Sequence, residues 1–581
     1  MFEAMELGPD GRLKRDGVEL SMNPFCQRAV SKGIELARET GGTCTVISLG
    51  PPSAEDVVRW GVAAGADDGI LVSDRAFAGS DTLATARALA AVLRRHGPFD
   101  LVLTGKNAVD ADTGQVGPEL AELLGYPFAT AVRRLELDGA ALKVGCEHGD
   151  AWVEATVSLP AVISTAERLC ATIRVAPAAR AAVPAERIRT VTSAELGNGS
   201  WGQEGSPTRV GETRVLEVKR GRRILAGGLE DQVAEALAIL QERRALDHAS
   251  NGSTQPVGAP VDDPANAILV LMEPEHPASA RELLGAASRI ARQLDARVTA
   301  LQAFVNDTTA PDLLYTWGAD HLCILNGAAV EQDVARFAAD WCRLQPVECI
   351  LAPSTSWGRE VASRIAARTG SGLTGDAVEL ELQDRRLVCW KPAFGGRLVA
   401  AIRSTSPIQM ATVRPGVLPH LTPRKHGWPS VERHVVVTAG RVRVTSRAQN
   451  DQLDALANAP RVVGVGMGVP PERYPEIDPL LDVLQAELAT TRKVTDQGWL
   501  PHVRQVGITG RSIASNLYIA LAVSGNFNHA CGIQRTGTVL AVNSDPRAAI
   551  FDHADVGIVA DWADCVPLLV KGFERLCPSS P

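Results

Sequence analysis

The residues best suited to hold a phosphate-bearing ligand lie in the last quarter of the chain. Val462-Val463-Gly464-Val465-Gly466-Met467-Gly468 reads as a strand entering a glycine turn. Its G-x-G-x-G spacing falls short of the full dinucleotide fingerprint, and a tight strand-to-helix turn explains it at least as well. In Gln505-Val506-Gly507-Ile508-Thr509-Gly510 the two glycines let backbone N–H groups approach a ligand and Thr509 adds a hydroxyl. The apolar run 517–523 ends in Ser524-Gly525-Asn526-Phe527-Asn528-His529. A helix starting there would aim free N–H groups and a positive dipole at a phosphate. Two further strand runs end at Asn543 and Asp561. Polar groups at the ends of three successive parallel strands mark the crevice where open α/β sheets bind ligands. Taken singly, Asn543 and Asp561 read as helix caps. An isolated His529 would read as a buried structural histidine, but its place on the turn after Ser524-Gly525 favours a cofactor contact. Arg492, after Thr490-Thr491, reads by itself as a solvated helix charge.

Alternating strands and helices must position these residues. Strand runs at 45–50 and 99–104 alternate with helical runs at 53–64 and 81–95, and Ser53 is placed to cap the first helix. Such alternation predicts parallel sheets covered by helices. The pattern then repeats. Gly65-Ala66-Asp67 leads to Ile70-Leu71-Val72, a helix and Asp100-Leu101-Val102-Leu103. Gly318-Ala319-Asp320 leads to Leu322-Cys323-Ile324-Leu325, a helix and Glu348-Cys349-Ile350-Leu351. Between the copies, 197–211 reads as an extended arm and 248–263 as a linker. A proline-rich break at 415–429 precedes a third unit that resembles neither copy and is placed to act as a hinge.

Bulk properties narrow the function classes. The 581 residues predict three or four domains. A net charge of -8 argues against a nucleic-acid partner. No basic-then-apolar leader and no long apolar run is present, so the chain reads as neither secreted nor an integral membrane protein. The 11 scattered cysteines, without a C-x-x-C pair, fit reduced cytoplasmic thiols and no metal site. An ATP-using hydrolase or ligase is disfavoured because the chain has no Walker-type lysine loop.

The segment from Gln505 through Asp561 resembles the FAD domain of the alpha subunit of electron transfer flavoproteins. Gln505–Gly510, Leu517-Tyr518-Ile519-Ala520, Ser524-Gly525, His529, Asn543-Ser544-Asp545-Pro546 and Ala554–Asp561 carry the resemblance. Lys391-Pro392-Ala393-Phe394-Gly395-Gly396 and Thr412-Val413-Arg414-Pro415-Gly416 resemble the same subunit's N-terminal domain. Ser21-Met22-Asn23-Pro24-Phe25 and the run 105–117 resemble the beta subunit, so the two subunits look fused, beta first. The resemblance implies an α/β fold with two related adenine-nucleotide-hydrolase-like parallel-sheet domains and a C-terminal Rossmann-like FAD domain. The expected spans are 1–195 for the beta-type domain, 196–263 for the arm and linker, 264–420 for the alpha-type N-terminal domain and 421–581 for the FAD domain.

The resemblance also implies roles. Thr491, Arg492, Gln505, Gly507, Thr509, Gly510, Ser524, Gly525, Asn528, His529, Asn543 and Asp561 would bind FAD, with the flavin facing the first unit. Arg492 would favour negative charge on the ring, Thr509 would bond near N5 and His529 near the pyrimidine carbonyl. Asn23, Asp110, Thr113, Gly114, Gln115 and Val116 would hold a second nucleotide, AMP or a second FAD. No catalytic residue is implied. Electrons would come from a flavin dehydrogenase and go to a quinone oxidoreductase at the membrane; the alternative is an electron-bifurcating protein using NADH and two FADs. The sequence departs from the family pattern at Met467, where an arginine is usual, and at Asn528, where glutamine is usual. It also lacks the expected opening strand of the beta-type half and the docking pattern typical of acyl-CoA dehydrogenase partners near 169–180.

Overall fold

The computed structural model describes residues 22–576 apart from 109–110, 149–150, 216–219, 247–251, 275, 304–308, 394–397, 450–455, 457–458, 508–509, 511–512, 514 and 535. The chain forms two compact units: one from 1–215, 253–394 and 398–448, the other from 216–252, 395–397 and 449–581.

The first unit contains both copies of the repeat. In the second copy a seven-stranded parallel sheet runs 372–377, 409–413, 347–353, 266–272, 296–303, 321–326, 430–435. Its central strand Asn266–Met272 is apolar in every position but the first because both faces are covered. Leu269 and Leu271 pack on one side with Trp341 and Trp357, and Ile268 and Val270 pack on the other with Leu284 and Leu351. The first copy repeats the flanks of this sheet. Strands 45–49, 68–72 and 188–191 form one sheet, and 101–105, 161–165 and 128–138 begin another. Among the described residues no strand of the first copy stands where Asn266–Met272 joins the two flanks of the second. The copies are tied by a buried guanidinium. Arg364, on helix Ser356–Thr369, donates to Glu122 of helix Val116–Leu124 at 2.8 Å.

The second unit is built on a six-stranded sheet in the order 223–224, 556–559, 538–543, 517–521, 461–465, 487–490, every pairing parallel. Strand Arg461–Val465 is followed in sequence by its neighbour on one side, and the chain then crosses to Leu517–Leu521 on the other. The crevice between these two strands is therefore a topological switch point.

Several boundaries differ from the sequence reading. The span 196–263, read as an extended arm and linker, supplies strands Thr208–Val215, Arg223–Ile224 and Gly252–Pro256 and helix Leu229–Glu242. Part of it enters the second unit because Asp555, only 1% exposed, pairs with Arg220 at 2.8 Å and Arg243 at 3.0 Å. At the other end, Ser430–Val435 and Val442–Gln449 lie in sheets of the first unit, beyond the expected boundary at 421. The proline-rich break at 415–429 is anchored and does not join the two units. Arg424 within it is 8% exposed and bonds the carbonyls of Tyr315 and Ala319 and the carboxylate of Asp320. Ser53 caps nothing: the helix starts at Glu55, after a turn of 3-10 helix at Pro52–Ala54.

Candidate nucleotide-binding site

The carboxyl-end rim of the second unit's sheet gathers most of the residues singled out from sequence. At the switch point, Gly466 lies so close to the neighbouring strand end that a Cβ would come within 2.0 Å of the Ala522 carbonyl oxygen. Gly525 has φ +77°, and a Cβ there would lie 2.1 Å from the Ile550 nitrogen. Only glycine meets both demands, left-handed backbone and contact with another main chain. Ser524 precedes this turn, and its carbonyl accepts from Ile550 N at 3.1 Å. Helix Phe527–Ile533 follows, with no side-chain cap from Asn526.

A second group assembles beside it. Gln505 pairs with Thr490 in a parallel bridge, and Val506 N donates to the Thr490 carbonyl at 2.9 Å. Gln505 is buried, its Oε1 accepting from Thr495 at 2.7 Å. Gly507, at φ +143°, and Gly510 close a turn through a 3.1 Å hydrogen bond. Thr491 and Arg492 follow strand Glu487–Thr490 at the same end, where Thr491 N donates to the Val465 carbonyl at 3.3 Å. The Arg492 side chain is about half exposed and meets Asp496 at 3.3 Å.

His529 joins the groups. It is 2% exposed, with Nδ1 3.1 Å from the Val506 carbonyl and Nε2 2.8 Å from the Tyr518 hydroxyl. The carbonyl only accepts, so Nδ1 carries the proton and Nε2 accepts from the tyrosine. Burial pushes its pKa down to about 4, so the ring is neutral. Both nitrogens are thus engaged within the protein, whereas the resemblance gave one of them to a flavin carbonyl. Asn543 is also tied into the fold, donating to the Val523 carbonyl at 2.9 Å and accepting from Asp545 N at 2.9 Å. Asp561, an exposed residue, caps the last helix through Ala563 N at 2.9 Å. The capping reading therefore holds for Asp561 but not for Asn543, which closes a local turn with Asp545, the next helical turn starting only at Ala549. Thr509 and the side chain of Asn528 lie outside the described residues.

Sequence reasoning missed Tyr518 and Trp562. Tyr518 is fully buried, and the space for its hydroxyl exists because position 464 is glycine: a Cβ there would lie 1.8 Å from that oxygen. A tyrosine in an otherwise aliphatic central strand was the available signal, since its hydroxyl requires a buried partner. Trp562 holds the glycine turn by donating to the Gly468 carbonyl at 3.1 Å.

The second nucleotide site expected from sequence falls in the first unit. Asn23 donates to the Asn107 carbonyl at 2.7 Å, which places the start of helix Pro24–Thr40 against the 105–116 loop. Its Oδ1 is buried without a hydrogen-bond partner, as is the Oδ1 of Asn107. Thr113 and Gly114, the latter at φ +65°, lead through Gln115 into Val116, the first residue of its helix. The Gln115 amide is spent within the protein, accepting from Thr82 at 2.8 Å and reaching the Leu373 carbonyl at 3.4 Å. Asp110 lies outside the described residues.

The donor chemistry of the first site fits a dinucleotide. Glycine turns, an uncapped helix start and polar strand ends gather at one rim of the sheet. Two orphaned buried acceptors in the second site fit a nucleotide with N–H or O–H groups to give. Parallel sheets with ligand residues at strand ends define the nucleotide-binding α/β class. Within it, an electron transfer flavoprotein domain profile matches residues 10–195 and 275–439, and an electron transfer flavoprotein FAD-binding domain profile matches 455–534. The chain belongs to the electron transfer flavoprotein family, with beta-like and alpha-like parts in one polypeptide. It is 31% identical over 306 residues to the electron transfer flavoprotein subunit alpha of Thermoanaerobacterium thermosaccharolyticum, covering 51% of this chain and 93% of that one. The subunit beta of that organism is 34% identical over 239 residues, 40% of this chain and 91% of that one. The LctC subunit of lactate dehydrogenase (NAD(+),ferredoxin) of Acetobacterium woodii is 32% identical over 304 residues, 50% of this chain and 72% of that one. The cofactor indicated is FAD, with AMP the family's usual second ligand. Among the described residues no helix is long and apolar enough to cross a membrane.

Proposed function

We propose that this protein is an electron carrier that takes electrons from a flavin dehydrogenase and delivers them to a quinone oxidoreductase at a membrane. Bound FAD supplies the redox chemistry; the chain binds it and biases its charge. Ser524, Gly525 and the start of helix Phe527–Ile533, with Asn528, receive the pyrophosphate, where backbone donors and the helix dipole favour negative charge. Asn543 and Asp561 hold the adenosine side. Thr491, Gln505, Gly507, Thr509 and Gly510 position the ring, and Arg492 places a positive charge beside it. His529 is a positioning residue: its neutral ring fixes the Val506–Gly507 peptide against Tyr518. Asn23, Asp110, Thr113, Gly114, Gln115 and Val116 hold AMP, a structural ligand in this reading.

The observation that carries the proposal is the convergence of the Ser524–Gly525 turn and the Thr490–Gln505 bridge on the switch point of one parallel sheet. A second reading, electron bifurcation with NADH and two FADs, draws support from the relative named as a subunit of lactate dehydrogenase (NAD(+),ferredoxin). Extracted flavin per chain, measured with anaerobic NADH oxidation, separates the two. One FAD and no NADH oxidation supports the carrier; two FADs with NADH oxidation support bifurcation; no flavin refutes both.

A further inference from the structure

The edge of the seven-stranded sheet holds a cluster that flavin chemistry does not use. Strands His321–Asn326 and Ser430–Val435 run parallel, with Cys323 opposite Glu432 and Leu325 opposite His434. Strand side chains alternate, so His321, Cys323, Glu432 and His434 share one face. Helix Glu331–Leu344 covers it: the Trp341 indole donates to the Glu432 carboxylate at 3.0 Å, and the Phe337 ring lies 4.8 Å from that of His434. The Cys323 thiol sulfur, a Glu432 oxygen and a His434 nitrogen lie within 4.8 Å of one another. Nε2 of His321 is 3.3 Å, and Nε2 of His434 3.5 Å, from the same Glu432 oxygen.

The cluster converges on Glu432. Its carboxylate takes hydrogen bonds from Trp341, from Cys323 and from His321, whose Nδ1 lies 2.6 Å from the Ser430 hydroxyl. Nε2 of His434 is without a hydrogen-bond partner. A divalent cation entering the cluster would take the place of the Cys323 and His321 protons that face the carboxylate. Ser430 and Trp341 stand where outer-shell partners orient ligating histidines and carboxylates.

We propose that His321, Cys323, Glu432 and His434 bind a zinc-class divalent cation, which clasps the edge strand Ser430–Val435 onto the sheet. A tetrahedral zinc site places its ligand atoms about 3.3–3.6 Å apart; those of Cys323, Glu432 and His434 lie within 4.8 Å of one another, and His321, outside that group but 3.3 Å from Glu432, turns in to complete it. One thiolate, two imidazoles and one carboxylate select a borderline-soft ion over magnesium or calcium, which require oxygen. The thiol proton leaves to solvent as the metal–sulfur bond forms.

The test uses the full chain, stripped with a chelator and titrated with Co2+ and then Zn2+. The expected result is one Co2+ per chain in a tetrahedral visible spectrum with a thiolate-to-cobalt charge-transfer band, displaced by Zn2+. Cys323→Ser should abolish that band. His434→Ala, at a partly exposed position on the edge strand, should weaken Zn2+ binding about tenfold or more. His426→Ala, exposed and outside the cluster, should leave it unchanged. Far-ultraviolet circular dichroism reports folding of each variant. If Cys323→Ser does not fold, His434→Ala carries the test. The proposal is overturned if the stripped protein binds no Zn2+ below about 10 μM, if the cobalt spectrum is octahedral without the thiolate band, or if His434→Ala binds as tightly as the parent.

Discussion

Acidification should loosen the FAD-binding unit through His529. The buried ring titrates near 4 in the folded protein, against 6.5 for the ordinary imidazole. A base with a depressed folded pKa contributes stability that is complete above 6.5 and is lost as pH falls towards 4, because the unfolded chain takes the proton first. From those two values, lowering the pH from 7.5 to 5 removes about 2 kcal/mol. Other groups pull the opposite way: burial raises Glu282 to about 7 and Glu360 to about 8, so these carboxyls favour the folded state at lower pH. The comparison must therefore be made with His529→Gln, which keeps an amide for hydrogen bonding and has no titratable proton. Urea unfolding would be followed by flavin fluorescence, which rises on release and reports on this unit alone. Between pH 7.5 and 5 the parent should lose about 2 kcal/mol more than the variant. Parallel pH profiles, within about 0.5 kcal/mol, would refute the buried neutral histidine and with it the positioning role.

Other outcomes follow from the same geometry. Arg492→Leu should lower the potential for uptake of the first electron by roughly 60–120 mV, ten- to a hundredfold in relative stability, in a spectroelectrochemical titration at low salt. An unchanged potential would remove Arg492 from the ring's surroundings. Asp555→Ala leaves the buried Arg220 without its carboxylate and should cost about 3–5 kcal/mol of second-unit stability. It should also expose 220–246 to limited proteolysis, and a protease pattern like the parent's would count against the anchoring role. Tyr518→Phe removes the donor to His529 Nε2 and should cost about 1–2 kcal/mol by urea unfolding, with flavin content unchanged.

What the sequence made legible is what local pattern dictates. The strand at 517–521 and the turn at Ser524–Gly525 follow from an apolar run ending in glycine, and the repeat follows from matched strand and helix order. The glycine turns and polar strand ends of the proposed FAD rim were legible because they sit at fixed offsets from the strand runs. Long-range contacts were not readable. Nothing in Ser-Val-Glu-Arg-His-Val at 430–435 marks it as the edge of a sheet whose other strands begin at 266, since its alternation of half-buried and exposed positions matches a loop as well as an edge strand. Arg220 gave no local sign that Asp555 would draw it into the last unit. The tautomer of His529 depends on Tyr518 and Val506, which spacing alone does not connect.

The rim of the last sheet is tested most directly by extracting bound nucleotide from the purified chain and from Gly525→Ala. The variant forces a Cβ against the Ile550 backbone at 2.1 Å, in left-handed backbone that costs about 1–2 kcal/mol more for alanine. The parent should yield one FAD per chain, and the variant should lose most of it while keeping its AMP and its far-ultraviolet circular dichroism. A parent without FAD, or a variant that retains it in full, would contradict a dinucleotide held at the Ser524–Gly525 turn.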